Sequence, residues 1–134
     1  MSLKSILLVE NDVNLRQSIA LVLQRAGYLV TATDCIERAI EILTSRHYQL
    51  VIVDSNITEG RTSLLPKLRS ASPDLPVIVL TDQSSLEVES EKRLSRAHYL
   101  LKPIAPERLL EAVSSNVKSN NHKSLLQSSS RSRL

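Results

Sequence analysis

Leu50-Val51-Ile52-Val53-Asp54 is a run of four aliphatic residues closed by a carboxylate. An unbroken apolar run of this kind, followed by Ser55 and Asn56, reads as a strand buried on both faces that ends in a polar loop. In open α/β sheets, ligand chemistry gathers just past the carboxyl ends of such strands. Asp54 is therefore a candidate functional group, and the ends of the other strands become the places to look.

Working outward, residues 5–9 (Ser-Ile-Leu-Leu-Val) read as a first buried strand. Val13 opens a helical pattern in which Leu15, Ile19, Val22, Leu23 and Ala26 share one stripe, and Gly27 supplies the left-handed stop. Residues 29–32 make a second strand. Ile36, Ala39, Ile40 and Leu43 mark a second amphipathic helix ending near Arg46. Pro66 would break a helix interior but is tolerated in a first turn, which places a third helix at 64–71 with Ser63 as its cap. A fourth strand spans 77–80. Ser84 and Glu87 can form a capping box for a fourth helix reaching about Ser95. His98 to Leu101 is a short fifth strand, and Pro106 starts a fifth helix with Leu109, Leu110, Val113 and Val117 on one face. Strands and helices alternate five times, which predicts an α/β fold: a doubly wound five-stranded parallel sheet with five helices, flavodoxin-like, in strand order 2-1-3-4-5.

The bulk composition narrows the function. A chain of 134 residues fits one domain with one core, and the absence of Trp and Phe makes that core aliphatic. No apolar stretch approaches the length of a membrane span, and no basic-then-apolar leader opens the sequence. The lone Cys35 excludes an internal disulfide, reads as an inert thiol, and points by default to a reducing, cytoplasmic setting. Lys118, Lys123, Arg131 and Arg133 lie in an acid-free stretch at 118–134; removing them from the formal +3 leaves residues 1–117 at −1. The folded part thus lacks the clustered basic face that direct nucleic-acid binding requires. The domain is expected over 4–117, with 118–134 a disordered Ser/Asn-rich basic tail or linker. His47, His98 and His122 have no metal-ligand spacing and read as surface residues.

The strand ends share a pattern. Glu10, Asn11 and Asp12 follow the first strand, Asp54 closes the third, Thr81 follows the fourth, and Lys102-Pro103 follows the fifth. In a parallel sheet all of them open on one edge. This set resembles the receiver domain of two-component response regulators, of the single-domain chemotaxis type, over about residues 4–117. The resemblance is carried by Ile6-Leu7-Leu8-Val9-Glu10-Asn11-Asp12, Leu50-Val51-Ile52-Val53-Asp54, Pro76-Val77-Ile78-Val79-Leu80-Thr81 and Tyr99-Leu100-Leu101-Lys102-Pro103.

The resemblance implies a signalling module rather than an enzyme. Asp54 would be the phosphoacceptor, taking a phosphoryl group from a sensor histidine kinase. Lys102 would give a positive charge and Thr81 a hydroxyl donor to the phosphate oxygens. Mg²⁺ would be held by Glu10, Asn11, Asp54 and the backbone carbonyl of Asn56. Tyr99 would be the aromatic whose exposure switches, and Pro103 would follow a cis peptide bond. The partners implied are the kinase and a downstream protein effector or an output domain. The face made by the fourth helix, fifth strand and fifth helix would read out the state, also as a homodimer.

The sequence departs from this family at definable positions. Asn11 stands where a carboxylate would contact the metal, so one charge is missing. A unit pair at ~4 Å is worth about 4 kcal/mol at an effective dielectric of about 20, and weaker Mg²⁺ affinity is the expectation. Asp82 stands after Thr81 where the family keeps a small residue, and Ile57-Thr58-Glu59-Gly60-Arg61 replaces the usual loop after the acceptor. A rival reading follows from these departures, namely a phosphorylation-independent interaction module on the same fold. A flavin-binding protein is excluded, because Glu10-Asn11-Asp12 has the wrong sign for a phosphate cradle.

Overall fold

In a computed structural model, the structure describes residues 3–55, 64–82 and 97–117. Its elements are β1 (Ser5–Val9), α1 (Val13–Arg25), β2 (Leu29–Thr33), α2 (Ile36–Ser45), β3 (Leu50–Asp54), α3 (Leu64–Ala71), β4 (Val77–Thr81), β5 (Ala97–Leu101) and α4 (Pro106–Asn116). The five strands form one parallel sheet in the order β2-β1-β3-β4-β5. This is the expected α/β architecture. The helix expected at 84–95, the Ser63 cap and the tail at 118–134 lie outside the described residues, so four helices are seen among them.

Each central strand buries both faces, and that explains its unbroken apolar run. Leu7, Val9, Val51, Val53, Val77 and Val79 pack under α2 and α3 with Ile36, Ala39, Leu43 and Leu68. The alternate residues Ile6, Leu8, Leu50, Ile52, Ile78 and Leu80 pack under α1 and α4 with Ile19, Leu23, Leu109, Ala112 and Val113. Fully burying a side chain of this size is worth about 1.5 to 3 kcal/mol. A slip of one residue in any central strand would exchange these two sets. β2 differs: it is an edge strand, and Leu29 is half exposed.

Several ends are set by local chemistry. Asp12 caps α1, its Oδ1 accepting from the Leu15 amide at 3.0 Å. The other end closes at Gly27, with φ of 100°. There the Tyr28 amide donates to the Leu23 carbonyl at 3.1 Å and the Gly27 amide to Gln24 at 3.0 Å, the paired bonds of a Schellman stop. Pro106 occupies the first turn of α4, where its missing N–H costs nothing.

Strand lengths shift slightly from the sequence expectation, and the shift at β4 matters. β4 runs on to Thr81, paired with Leu101, and Asp54 is itself the last residue of β3, beside Leu80. Both polar residues are thus held by a ladder rather than by a loop.

Candidate functional site

Asp54 ends β3 with 1% of its surface exposed, and Thr81 ends β4 with 4%. β4 lies between β3 and β5, so Lys102, one residue past β5, must reach over the end of β4 to touch Asp54. It does: Lys102 Nζ donates to Asp54 Oδ2 in an ion pair. The Lys102 amide donates to the Thr81 carbonyl at 2.8 Å, extending the β4–β5 ladder and fixing where the lysine stem begins. Burial pulls the ammonium pKa down. The hydrogen bond and charge of Asp54, with the charges of Glu10 and Asp82, outweigh it and leave the pKa above its usual value.

The loop after β1 brings a second buried acid to the same edge. Glu10 is 1% exposed, and its amide donates to the Thr33 carbonyl at 3.0 Å, carrying the β1–β2 pairing one step further. Glu10 Oε2 accepts from the Asp12 amide at 3.0 Å, and Arg16 Nη1 donates to the Glu10 carbonyl at 2.8 Å. Glu10 Oε1 is buried with no hydrogen-bond partner among the described residues. Burial, then contact with the Asp54 carboxylate, raises the Glu10 pKa from 4.5 to about 7, against the lowering effects of the Asp12 amide and Lys102.

Asp54, Lys102, Thr81 and Glu10 therefore meet at one edge. Asn11 is exposed in the loop between Glu10 and Asp12. Asp12 is committed to capping α1. Asn56 lies outside the described residues. Tyr99 is half-buried on β5 and packs against the core cluster on the α2–α3 side. The Lys102–Pro103 peptide is cis, as expected. His47 and His98 are exposed, and Cys35 sits half-buried at the N-cap of α2. Asp82 is exposed and lines, with Lys102, Pro103, Ile104, Leu15 and Leu109, a cavity of about 550 Å³ between α1 and α4.

Two residues at this edge escaped the sequence reading. Arg16 holds the Glu10 carbonyl; the available signal was its position one turn beyond the Asp12 cap. Thr33 ends β2 buried, its hydroxyl unpartnered among the described residues. Nothing in an edge strand of mixed polarity would single it out.

Chemically, the edge offers a buried carboxylate, a cation already in contact with it, and a hydroxyl-bearing residue on the intervening strand. Its oxygen donors suit a hard divalent cation. No group of three or more His, Cys, Asp or Glu side chains is arranged to hold a metal among the described residues. The oxygen donors on this edge are two buried carboxylates, Glu10 and Asp54, with the exposed Asn11 in the loop beside Glu10. The unpartnered, buried Glu10 Oε1 is an acceptor that a cation or its water shell would satisfy, so the residues fit such an ion with one charge fewer than three acids would give.

Residues 6–114 match the family model of the response regulator receiver domain. Response regulator protein FleR of Pseudomonas aeruginosa is 34% identical over 111 residues, which are 81% of this chain and 23% of FleR. A CheY-like receiver domain structure from Methanospirillum hungatei is 29% identical, with TM-score 0.74 over 85% of this chain and 93% of that one. The receiver domain of sensor histidine kinase PA1611 from Pseudomonas aeruginosa, 23% identical, has TM-score 0.73 over 86% of this chain and 98% of that one. That structure has a magnesium ion coordinated in its active-site cleft. No helix among the described residues is long and apolar enough to cross a membrane.

Proposed function

The chain belongs to the response regulator receiver domain family, and from that premise we propose that it works in phosphorelay signalling by accepting a phosphoryl group on Asp54. The observation that carries the reading is the buried Asp54 carboxylate held by Lys102 across the end of β4, with Thr81 on the strand between them.

In the proposed step an oxygen of Asp54 attacks the phosphorus of a phosphohistidine on a sensor kinase. The P–N bond breaks, and the imidazole nitrogen keeps the electron pair. Lys102 moves from the Asp54 oxygen to a phosphate oxygen, so one cation serves both the resting carboxylate and the product. Thr81 donates its hydroxyl to another phosphate oxygen. When bound, Mg²⁺ supplies positive charge against the phosphate, and Glu10, Asn11, Asp54 and the Asn56 carbonyl would hold it. Movement of Thr81 toward the phosphate alters the space available to Tyr99, and the face around β5 and α4 passes that change to a protein effector, an output domain or a second copy.

Residues 4–117 would act as the domain and 118–134 as a tail or linker, in a cytoplasmic setting. The chain acts as a signalling module. A phosphorylation-independent role draws on the departures at Asn11 and Asp82, and the Asp54–Lys102 pair gives it no support.

Titration with Mg²⁺ and beryllofluoride, followed by ¹⁹F NMR, tests the reading. The expected result is a bound fluoride signal that is absent from Asp54→Ala. No bound signal at millimolar Mg²⁺ would sink the phosphoacceptor role.

A further inference from the structure

Asp82 is a carboxylate that phosphoryl acceptance does not require, and it stands at the mouth of the edge that holds Lys102 and Asp54. It follows Thr81 directly, is exposed, and lines the same cavity as Lys102, the residue in contact with Asp54. Asp54 is almost fully buried while a fifth of the Lys102 side chain is exposed, so an incoming phosphate meets solvent-facing Lys102 before it meets the acceptor. The described acids Asp54, Glu10 and Asp82 all lie close enough for their charges to act on Lys102. The negative field acts on a free donor with nothing but its own charge to guide it. A donor carried on a protein brings docking energy that can offset the repulsion.

Resting on Asp54 as the phosphoacceptor, we propose that Asp82 is a specificity-determining residue that selects against small dianionic phosphodonors. Acetyl phosphate near neutral pH is such a donor. Its P–O bond would break as the Asp54 oxygen–phosphorus bond forms, and acetate would leave with the electron pair. Phosphoramidate reacts by the same route with P–N cleavage and departure of ammonia, but in its zwitterionic form it carries one negative charge fewer. At ~9 Å in water, removing a unit negative charge speeds approach of a dianion about fivefold and of a monoanion about twofold at low ionic strength. The raised pKa of Lys102 is consistent with Asp82 being close enough to act on it.

The test compares wild type with Asp82→Asn, which keeps the side-chain shape, and with Asp82→Ala. Labelling of Asp54 by acetyl phosphate and by phosphoramidate is followed by intact-mass spectrometry at saturating Mg²⁺, in low and high salt. Thermal melts verify that each variant is folded. The expected result is a rise in the acetyl phosphate rate of about fivefold, a smaller rise with phosphoramidate, and loss of the difference in high salt. Equal changes with both donors, or no change with either, overturn the role of Asp82 and leave Asp54 as acceptor. Absence of Asp54 labelling by both donors in every variant overturns the phosphoacceptor reading, and the inference falls with it.

Discussion

Lys102 reaches across the end of β4 to give its ammonium to Asp54 Oδ2, joining two strands that are not neighbours in the sheet. Strands lie about 4.8 Å apart, so the pair spans roughly 10 Å of sheet with Thr81 beneath it. Replacing Lys102 by Met keeps the stem and removes the charge, leaving a buried carboxylate without that cation. Losing one member of a fully buried pair costs about 3 to 5 kcal/mol. The partial exposure of Lys102 reduces that, and a loss of about 2 kcal/mol is expected from urea denaturation. A matching Asp54→Asn, Lys102→Met double variant should recover part of the loss. Strict additivity of the two changes would argue against the coupling.

Under the proposed reading, Asn11 sets how tightly a cation would be held. It stands exposed beside buried Glu10, whose Oε1 has no partner among the described residues. Asn11→Asp would add a full negative charge beside Glu10, at the position proposed to hold the ion. Charge–charge attraction at contact distance is partly screened here, so the expected gain in Mg²⁺ affinity is about tenfold or more, read by isothermal titration calorimetry. An unchanged affinity would mean that residue 11 does not face the ion.

Glu10 predicts an unusual pH dependence in metal-free buffer. Burial and the neighbouring Asp54 raise its pKa from 4.5 to about 7. Between those values the folded chain keeps a proton that the unfolded chain has released. By linkage the contribution of Glu10 to stability therefore falls as pH rises from about 4.5, and the fall is complete above about 7. Glu10→Gln cannot lose that proton. Its stability relative to wild type should improve across this window by on the order of 2 to 3 kcal/mol, measured as denaturant midpoints at several pH values. A parallel pair of curves would show that Glu10 titrates normally.

Most of the fold was legible because the central strands are buried on both faces. A run such as Leu50 to Val53 has no other economical place in a doubly wound domain. Asp54, Thr81 and Lys102 could be grouped because strand ends in a parallel sheet share one edge. Other features depend on distances that periodicity does not encode. Nothing in the sequence says that Lys102 contacts Asp54 in the resting state, or that Glu10 is the buried acid while Asp12 is spent on the cap. The order 2-1-3-4-5 already placed the second strand at an edge, and Leu29 is half exposed there. Arg16 had only a weak signal, its place one turn beyond the Asp12 cap, because an arginine there is usually solvated and its bond is to a backbone carbonyl.

The sequence did mark Gly27, and its backbone tests the reading without touching the site. Its φ of 100° lies where a Cβ is strained, while a Cβ built there would meet no atom within 4 Å. Gly27→Ala should therefore cost conformational energy alone, about 1 kcal/mol, with no steric addition. The Tyr28–Leu23 and Gly27–Gln24 bonds that end α1 should survive the change. The expected outcome is a lower denaturant midpoint with an unchanged m-value, and unchanged Mg²⁺ binding. A loss above about 3 kcal/mol would mean that the helix stop gives way and that α1 loses its register over Ile6 and Leu8.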